Sequence, residues 1–142
     1  MVQVEVSGEI PVPSEKLFSL MSDYNNWPKL FSAHTSVRLI KKEGDVEYIE
    51  LGDRRYGKVN ETHRVIPPNR IDIEEFTPGW DGTFVNLFES LPNGNTELTV
   101  KVDIKGKGLM KLVGPFAGSY VRNRVRKQIF EELQKTAPAS RT

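Results

Sequence analysis

The stretch LMKLVGPFAGSYVRNRVRKQIFEELQK, Leu109 to Lys135, decides how the rest of the chain is read. At helical spacing it carries Leu109, Val113, Phe116, Tyr120, Val121, Val125, Ile129 and Leu133 as one apolar stripe. Lys111, Arg122, Arg124, Arg126, Lys127, Glu131 and Glu132 fall mostly off that stripe. A helix of this length runs about 40 Å at roughly 1.5 Å per residue. Gly114-Pro115 predicts a bend or a fresh start, because proline lacks an N–H and restricts the residue before it. Nearly everything before the stretch reads as short strands. One long amphipathic helix at the end of a strand-rich chain needs a sheet to lie against. The expectation is therefore an α+β fold, with a sheet curled around the helix and function in the space between them.

Working outward, Val2, Val4 and Val6 alternate with Gln3, Glu5 and Ser7, the period of a half-buried strand. Pro11 and Pro13 end it. Ser14 reads as the N-cap of a short helix that buries Leu17, Phe18 and Met21, and Asp23 or Asn25 as the cap of a second, containing Trp27 to Phe31. The middle is strands: Thr35 to Lys42, Val46 to Leu51, Tyr56 to Ile66, Arg70 to Phe76, Thr83 to Leu91 and Thr96 to Lys105. Glu43-Gly44-Asp45, Gly52-Asp53-Arg54, Pro67-Pro68-Asn69 and Pro92-Asn93-Gly94-Asn95 are the turns between them. Short turns between successive strands predict an antiparallel meander. In the last strand Leu98, Val100, Val102 and Ile104 share the face that should meet the helix.

The composition limits function. The chain has 142 residues, 37% hydrophobic and 27% charged, which suits one globular domain over residues 1–136 with a flexible tail at 137–142. The net charge of +1 gives no case for nucleic acid. Arg122, Arg124, Arg126 and Lys127 read as a solvated face near a helix C-terminus. The absence of cysteine excludes a disulfide scaffold, a thiol nucleophile and a cysteine zinc site, and fits a reducing compartment. Met1 leads straight into the first strand, and no apolar run approaches the roughly 20 residues of a membrane span. A cytoplasmic location is expected, with no cofactor and no metal. His34 and His63 are the only histidines and lack metal-ligand spacing.

The order strand, two short helices, about six strands, long helix resembles the helix-grip fold of the START-like, or SRPBCC, superfamily. Two motifs point to its polyketide cyclase/dehydrase and lipid-transport branch. Asp23-Tyr24-Asn25-Asn26-Trp27-Pro28-Lys29-Leu30-Phe31-Ser32 is similar to that branch's segment after the first helix, and Thr62-His63-Arg64-Val65 to its mid-sheet strand. The resemblance implies a strongly curved antiparallel sheet gripping the C-terminal helix, with an internal cavity closed partly by the two short helices. It also implies that Arg64, with Asn60 and Thr62 on the same face, points into the cavity as a catalytic or ligand-anchoring group. His63, on the opposite face, then points outward. A guanidinium there would hold an enolate or carbonyl oxygen. The alternative for Arg64 is a pairing with a carboxylate such as Glu75 or Glu89 on the sheet surface.

Trp27 and Phe31 sit where packing and cavity entrance coincide, and His34 follows them at the same mouth. Trp80 lies in a Pro/Gly loop and reads as a lid residue, or as a transient membrane or partner contact. Tyr120, on the inner helix face, would place a hydroxyl in an apolar space. Leu87 and Val100 stand where related cyclases place tryptophan, which leaves a wall poor in aromatics. The first functional expectation is a carrier or chaperone for a small hydrophobic ligand: a lipid, a quinone or a polyketide-like aromatic. The second is a polyketide aromatase/cyclase or dehydratase with Arg64 as anion stabiliser. The third is a ribosome-associated or other interaction module like coenzyme Q-binding relatives.

Overall fold

The structure, a computed structural model, describes residues 2–107 and 117–140. The part of the quoted stretch from Leu109 to Phe116, with its expected bend, lies outside them. Seven antiparallel strands form one curved sheet: β1 (Val2–Ile10), β2 (His34–Glu43), β3 (Val46–Asp53), β4 (Gly57–Ile66), β5 (Arg70–Phe76), β6 (Trp80–Ser90) and β7 (Thr96–Gly106). Their order is β1-β7-β6-β5-β4-β3-β2, so the meander runs from β2 to β7 and β1 closes on β7. Between β1 and β2 come α1 (Ser14–Ser22), a single 3₁₀ turn at Tyr24–Asn26, and α2 (Trp27–Leu30). The C-terminal helix consists of α3 (Ala117–Val125), a π-helical stretch at Arg126–Glu131, and α4 (Glu132–Ala139). The fold is the helix-grip arrangement.

Alternation decides which face each strand buries. Leu98, Val100 and Val102 are buried on the concave face, and Lys101 and Lys105 are exposed, as their spacing predicts. They share one core with Val6, Ile10, Leu17, Leu20, Met21, Val121, Val125, Phe130 and Leu133. Ser14 is already helical and does not cap: Pro13 occupies that position, and the Ser14 hydroxyl bonds Ser90 Oγ at 2.6 Å. Asp23 does cap the 3₁₀ turn, accepting from Asn25 N–H at 3.0 Å. Phe18 is half-buried, edge-on to Phe88 at 5.4 Å, while Leu20 takes its expected place in the core.

The π-helical stretch changes the helix face. A 3.6-residue period carries the stripe from Val125 to Ile129; five residues separate Val125 from Phe130, and both are buried. The wider turn lets Phe130 join the core while Ile129 still borders the space under the sheet. Phe130 packs on β1 at Gly8, where an added Cβ would lie 2.8 Å from the ring. Gly8→Val is expected to lower stability by about 1–3 kcal/mol, the range for overfilling a packed site. A thermal melt checks this, and an unshifted transition would place Phe130 elsewhere.

The helix also reaches further than its apolar stripe. It ends at Ala139, and Ala137 is fully buried, so residues 137–139 are part of the packed domain instead of a loose tail. Thr136 Oγ1 donates to Leu30 O at 3.1 Å, and the Ser32 hydroxyl donates to Glu132. These bonds fasten the short α2 to the helix and so fix Trp27 and Phe31.

Candidate functional site

A cavity of about 210 Å³ lies between the concave face and the C-terminal helix. Val121, Val125 and Ile129 form its helix side, Ile73, Phe84 and Ile104 its sheet side, and Trp27 and Phe31 its α2 end. Tyr56 and Tyr120, 41% and 59% exposed, mark the mouth. Gly82 makes room for two aromatics of the wall: a Cβ there would lie 2.8 Å from the Trp80 indole and 3.1 Å from the Phe84 ring. The missing side chain lets the Trp80 and Phe84 rings pack closely over β6.

The α2 end is held tightly. Trp27 is buried, its indole N–H donates to Met21 O at 3.0 Å, and its ring lies 5.3 Å from Phe31, 5.6 Å from His34 and 4.6 Å from His63. His34 borders the cavity with a buried Nδ1 that has no partner among the described residues. Burial lowers its pKa; Asp53 opposes that, and His63 adds to it. At the other end Trp80 is the first residue of β6 and not the tip of a loop. Thr77 Oγ1 accepts from Trp80 N–H at 3.0 Å and donates to Trp80 O at 2.9 Å. The ring turns toward Tyr56 and Phe84, 6.4 and 6.5 Å away.

The polar floor comes from the middle strands. On β4, Val59, Glu61 and His63 are buried; on β5, Ile71 and Ile73 are buried and Glu75 borders the cavity on the same face; on β6, Asn86 is buried. Glu61 and Glu75 stand directly opposite each other in the β4–β5 ladder. Glu61 Oε1 meets His63 Nε2 at 2.7 Å, with both side chains almost wholly buried. Burial first, and the charge of Asp53 second, push the Glu61 carboxyl up to about 8. Burial pulls His63 down to about 4, against the partial opposition of Glu47. Both shifts favour the uncharged forms of the pair over an ion pair. Glu75 is raised well above its usual range by burial, by Glu61 and by Asp53.

This geometry reverses the expected reading of β4. Asn60 and Arg64 are exposed and Thr62 is half-buried on the outer face; Arg64 Nε lies 3.5 Å from Asp45 Oδ1, with both side chains largely in solvent. His63, expected outside, is 1% exposed. Alternation groups Asn60, Thr62 and Arg64 together but does not say which group points inward, and both faces of this strand carry polar residues. The apolar companions carry the missing signal: Glu61 and His63 share their face with Val59 and Val65, and Glu75 shares its face with Ile71 and Ile73. Leu87 also lies on the outer face, opposite Thr99 and Arg70. Val100 faces inward but is packed in the core, away from the cavity lining. Tyr120 lies at the solvent-exposed rim, so its hydroxyl does not enter an apolar interior. Trp27, Phe31, His34 and Trp80 line the cavity as their positions suggested. Among the described residues no group of His, Asp and Glu is arranged to hold a metal ion, and no helix is long and apolar enough to cross a membrane.

The sequence pattern of the family described as polyketide cyclase/dehydrase and lipid transport matches residues 1–138. The chain belongs to that family. It is 26% identical over 105 residues to the granaticin polyketide synthase bifunctional cyclase/dehydratase of Streptomyces violaceoruber. That match covers 65% of this chain and 31% of the relative, so the chain spans about a third of the curated protein it matches. Among solved structures it resembles a START superfamily protein from Mycobacterium smegmatis, with a TM-score of 0.79 at 14% identity, covering 97% of this chain and 99% of the other. It also resembles the Zhui aromatase/cyclase from Streptomyces sp. R1128, with a TM-score of 0.70 at 11% identity, covering 96% and 91%. At such identities these structures establish the START-like fold alone.

Proposed function

We propose that the protein binds a small hydrophobic ligand in this cavity, as a carrier or chaperone, and that a lipid, a quinone or a polyketide-like aromatic is the class of guest. The observation that carries this reading is the cavity itself: apolar walls from helix and sheet, and a short polar floor at Glu61, Glu75 and Asn86. The ligand's ring or chain lies along Trp27, Phe31, Phe84 and Ile129, and its polar group reaches the floor. N-phenyl-1-naphthylamine, a neutral fluorescent probe, tests it. Saturable one-to-one uptake is expected in the wild type, loss of uptake in Ile129→Trp, which fills the cavity, and an unchanged affinity in Arg64→Ala, whose side chain lies outside. Equal uptake by the filled variant would place binding elsewhere. Native mass spectrometry of the purified protein identifies any guest that accompanies it.

The Glu61–His63 couple favours a second reading, turnover of a ketide. A cavity-lining carboxyl whose pKa is raised by burial is a candidate general acid at neutral pH, and His63, outside the lining, holds its other side by a hydrogen bond. In this reading the cyclase or dehydratase chemistry runs through Glu61, positioned by His63, and not through Arg64. Ketide turnover lost in Glu61→Gln and retained in Arg64→Ala would support it. Binding without turnover in the wild type would leave the carrier.

A further inference from the structure

We propose that the polar group seated on the cavity floor is a cationic amine, so that the ligand is a small hydrophobic molecule carrying one ammonium. This rests on the cavity-binding reading above and narrows its ligand class.

The floor is rich in acceptors and holds no cation. Asn86 is buried, and its Nδ2 donates to the strand carbonyls of Ile71 and Phe84 at 3.3 and 3.5 Å. Its Oδ1 accepts nothing among the described residues while the residue borders the cavity. Glu61 uses one oxygen on His63 and has no other partner among the described residues. Glu75 makes no hydrogen bond among them. On β3, Asp53 adds a third carboxyl to the lining, with Oδ1 accepting from the backbone N–H groups of Arg55 and Tyr56. An ammonium supplies three donors to the free oxygens of Glu61, Glu75 and Asn86. A carboxylate ligand would bring a second negative charge beside Asp53, and a neutral ketone would offer no donor to Asn86 Oδ1.

The aromatic surround fits the same guest. Trp27, Phe31, Trp80 and Phe84 all border the cavity, and indole and phenyl faces attract a desolvated cation. The cations that do line the cavity belong to its mouth. Gln128 Oε1, with its amide turned to satisfy both neighbours, accepts from Arg124 at 2.8 Å and from Arg55, and the Arg124 guanidinium lies 5.8 Å from the exposed Tyr120 ring. Both guanidiniums are engaged by Gln128.

Binding would be coupled to proton release. The titratable groups facing Glu61 are His63 on its own strand, Asp53 on β3 and Glu75 on β5; His34 on β2 and Glu47 on β3 lie beyond. An ammonium ionises Glu61 or Glu75 by pairing with it. Below the Glu61 transition at about 8, affinity should then rise by about tenfold per pH unit for each proton released.

The test compares three probes of one shape by titration calorimetry: 2-naphthylethylamine, 2-ethylnaphthalene and 2-naphthylacetate, at pH 6 and pH 8. At pH 8 the amine is expected to bind at least about tenfold more tightly than the hydrocarbon, the scale of one charged hydrogen bond, with the carboxylate weakest. At pH 6 the preference shrinks, and in buffers of different ionisation enthalpy the heat reports the released proton. Glu61→Gln and Glu75→Gln should each remove most of the preference while keeping the affinity for 2-ethylnaphthalene, which shows that the cavity is still folded; if one variant does not fold, the other decides. An amine that binds no better than 2-ethylnaphthalene overturns the ligand class and leaves the cavity reading standing. Failure of all three probes to bind overturns both.

Discussion

Leu133→Asp is expected to unfold most of the protein at 25 °C, whereas Arg126→Asp is expected to melt within a degree or two of the wild type. Leu133 is fully buried where α4 meets the core, and Arg126 is exposed at the start of the π-helical stretch. Removing a buried leucine side chain costs about 2–5 kcal/mol, and the aspartate that replaces it has no partner for its charge. Domains of this size hold about 5–15 kcal/mol in all, so the sum approaches the whole stability. Denaturant melts of the two variants check it. Similar midpoints would mean that the helix does not present the Val121, Val125, Phe130 and Leu133 face to the sheet.

Glu61→Gln is expected to raise stability at alkaline pH and to change it little at pH 5. The Glu61 carboxyl sits at about 8 when folded, against 4.5 in the unfolded chain. Below 4.5 both states hold the proton and Glu61 adds no pH dependence. Above 4.5 the unfolded chain releases it while the folded chain keeps it, so stability falls as pH rises from 4.5 through 8. Glutamine cannot ionise and removes that loss, a gain of a few kcal/mol at most by pH 8.5, with Glu75 left to contribute its own. His63 acts on the other side. Lowered to about 4 from 6.5, it withdraws stability as pH falls from 6.5 through 4. The wild type should therefore melt highest at mildly acidic pH, between 4.5 and 6.5, and Glu61→Gln should shift that maximum upward. Parallel melting curves for the two proteins between pH 5 and 8.5 would mean that Glu61 titrates as an exposed carboxylate.

Much of the architecture was legible in the residues. The alternation of Leu98, Val100, Val102 and Ile104, the Gly44 and Gly94 turns and the apolar stripe through Val121, Val125 and Leu133 are local signals, and local backbone geometry obeys them. Trp27 and Phe31 were also legible as cavity neighbours, because a short helix needs a core to bury them, and His34 follows them at the start of β2. The stripe holds at Ile129, which lines the cavity, but it missed Phe130, which is buried in the core. A π-helical turn inserts a residue into the period, and only packing against Gly8 of β1 reveals it.

The sequence by itself determined a meander of strands closed by one helix, because turn residues and hydrophobic period act over a few neighbours. It also determined which residues of β4 share a face. Only the tertiary structure decided which of those faces looks inward. Asn60-Thr62-Arg64 and Glu61-His63 are both polar sets, and locally only the flanking Val59 and Val65 favour the second. The choice was made by Ile71 and Ile73 across the ladder and by the helix above, whose burial turns Glu61, His63 and Glu75 inward and leaves Arg64 to pair with Asp45 in water. Burial then sets the protonation of those groups, which no single residue's identity encodes, because desolvation belongs to the space around a carboxyl and not to its place in the chain.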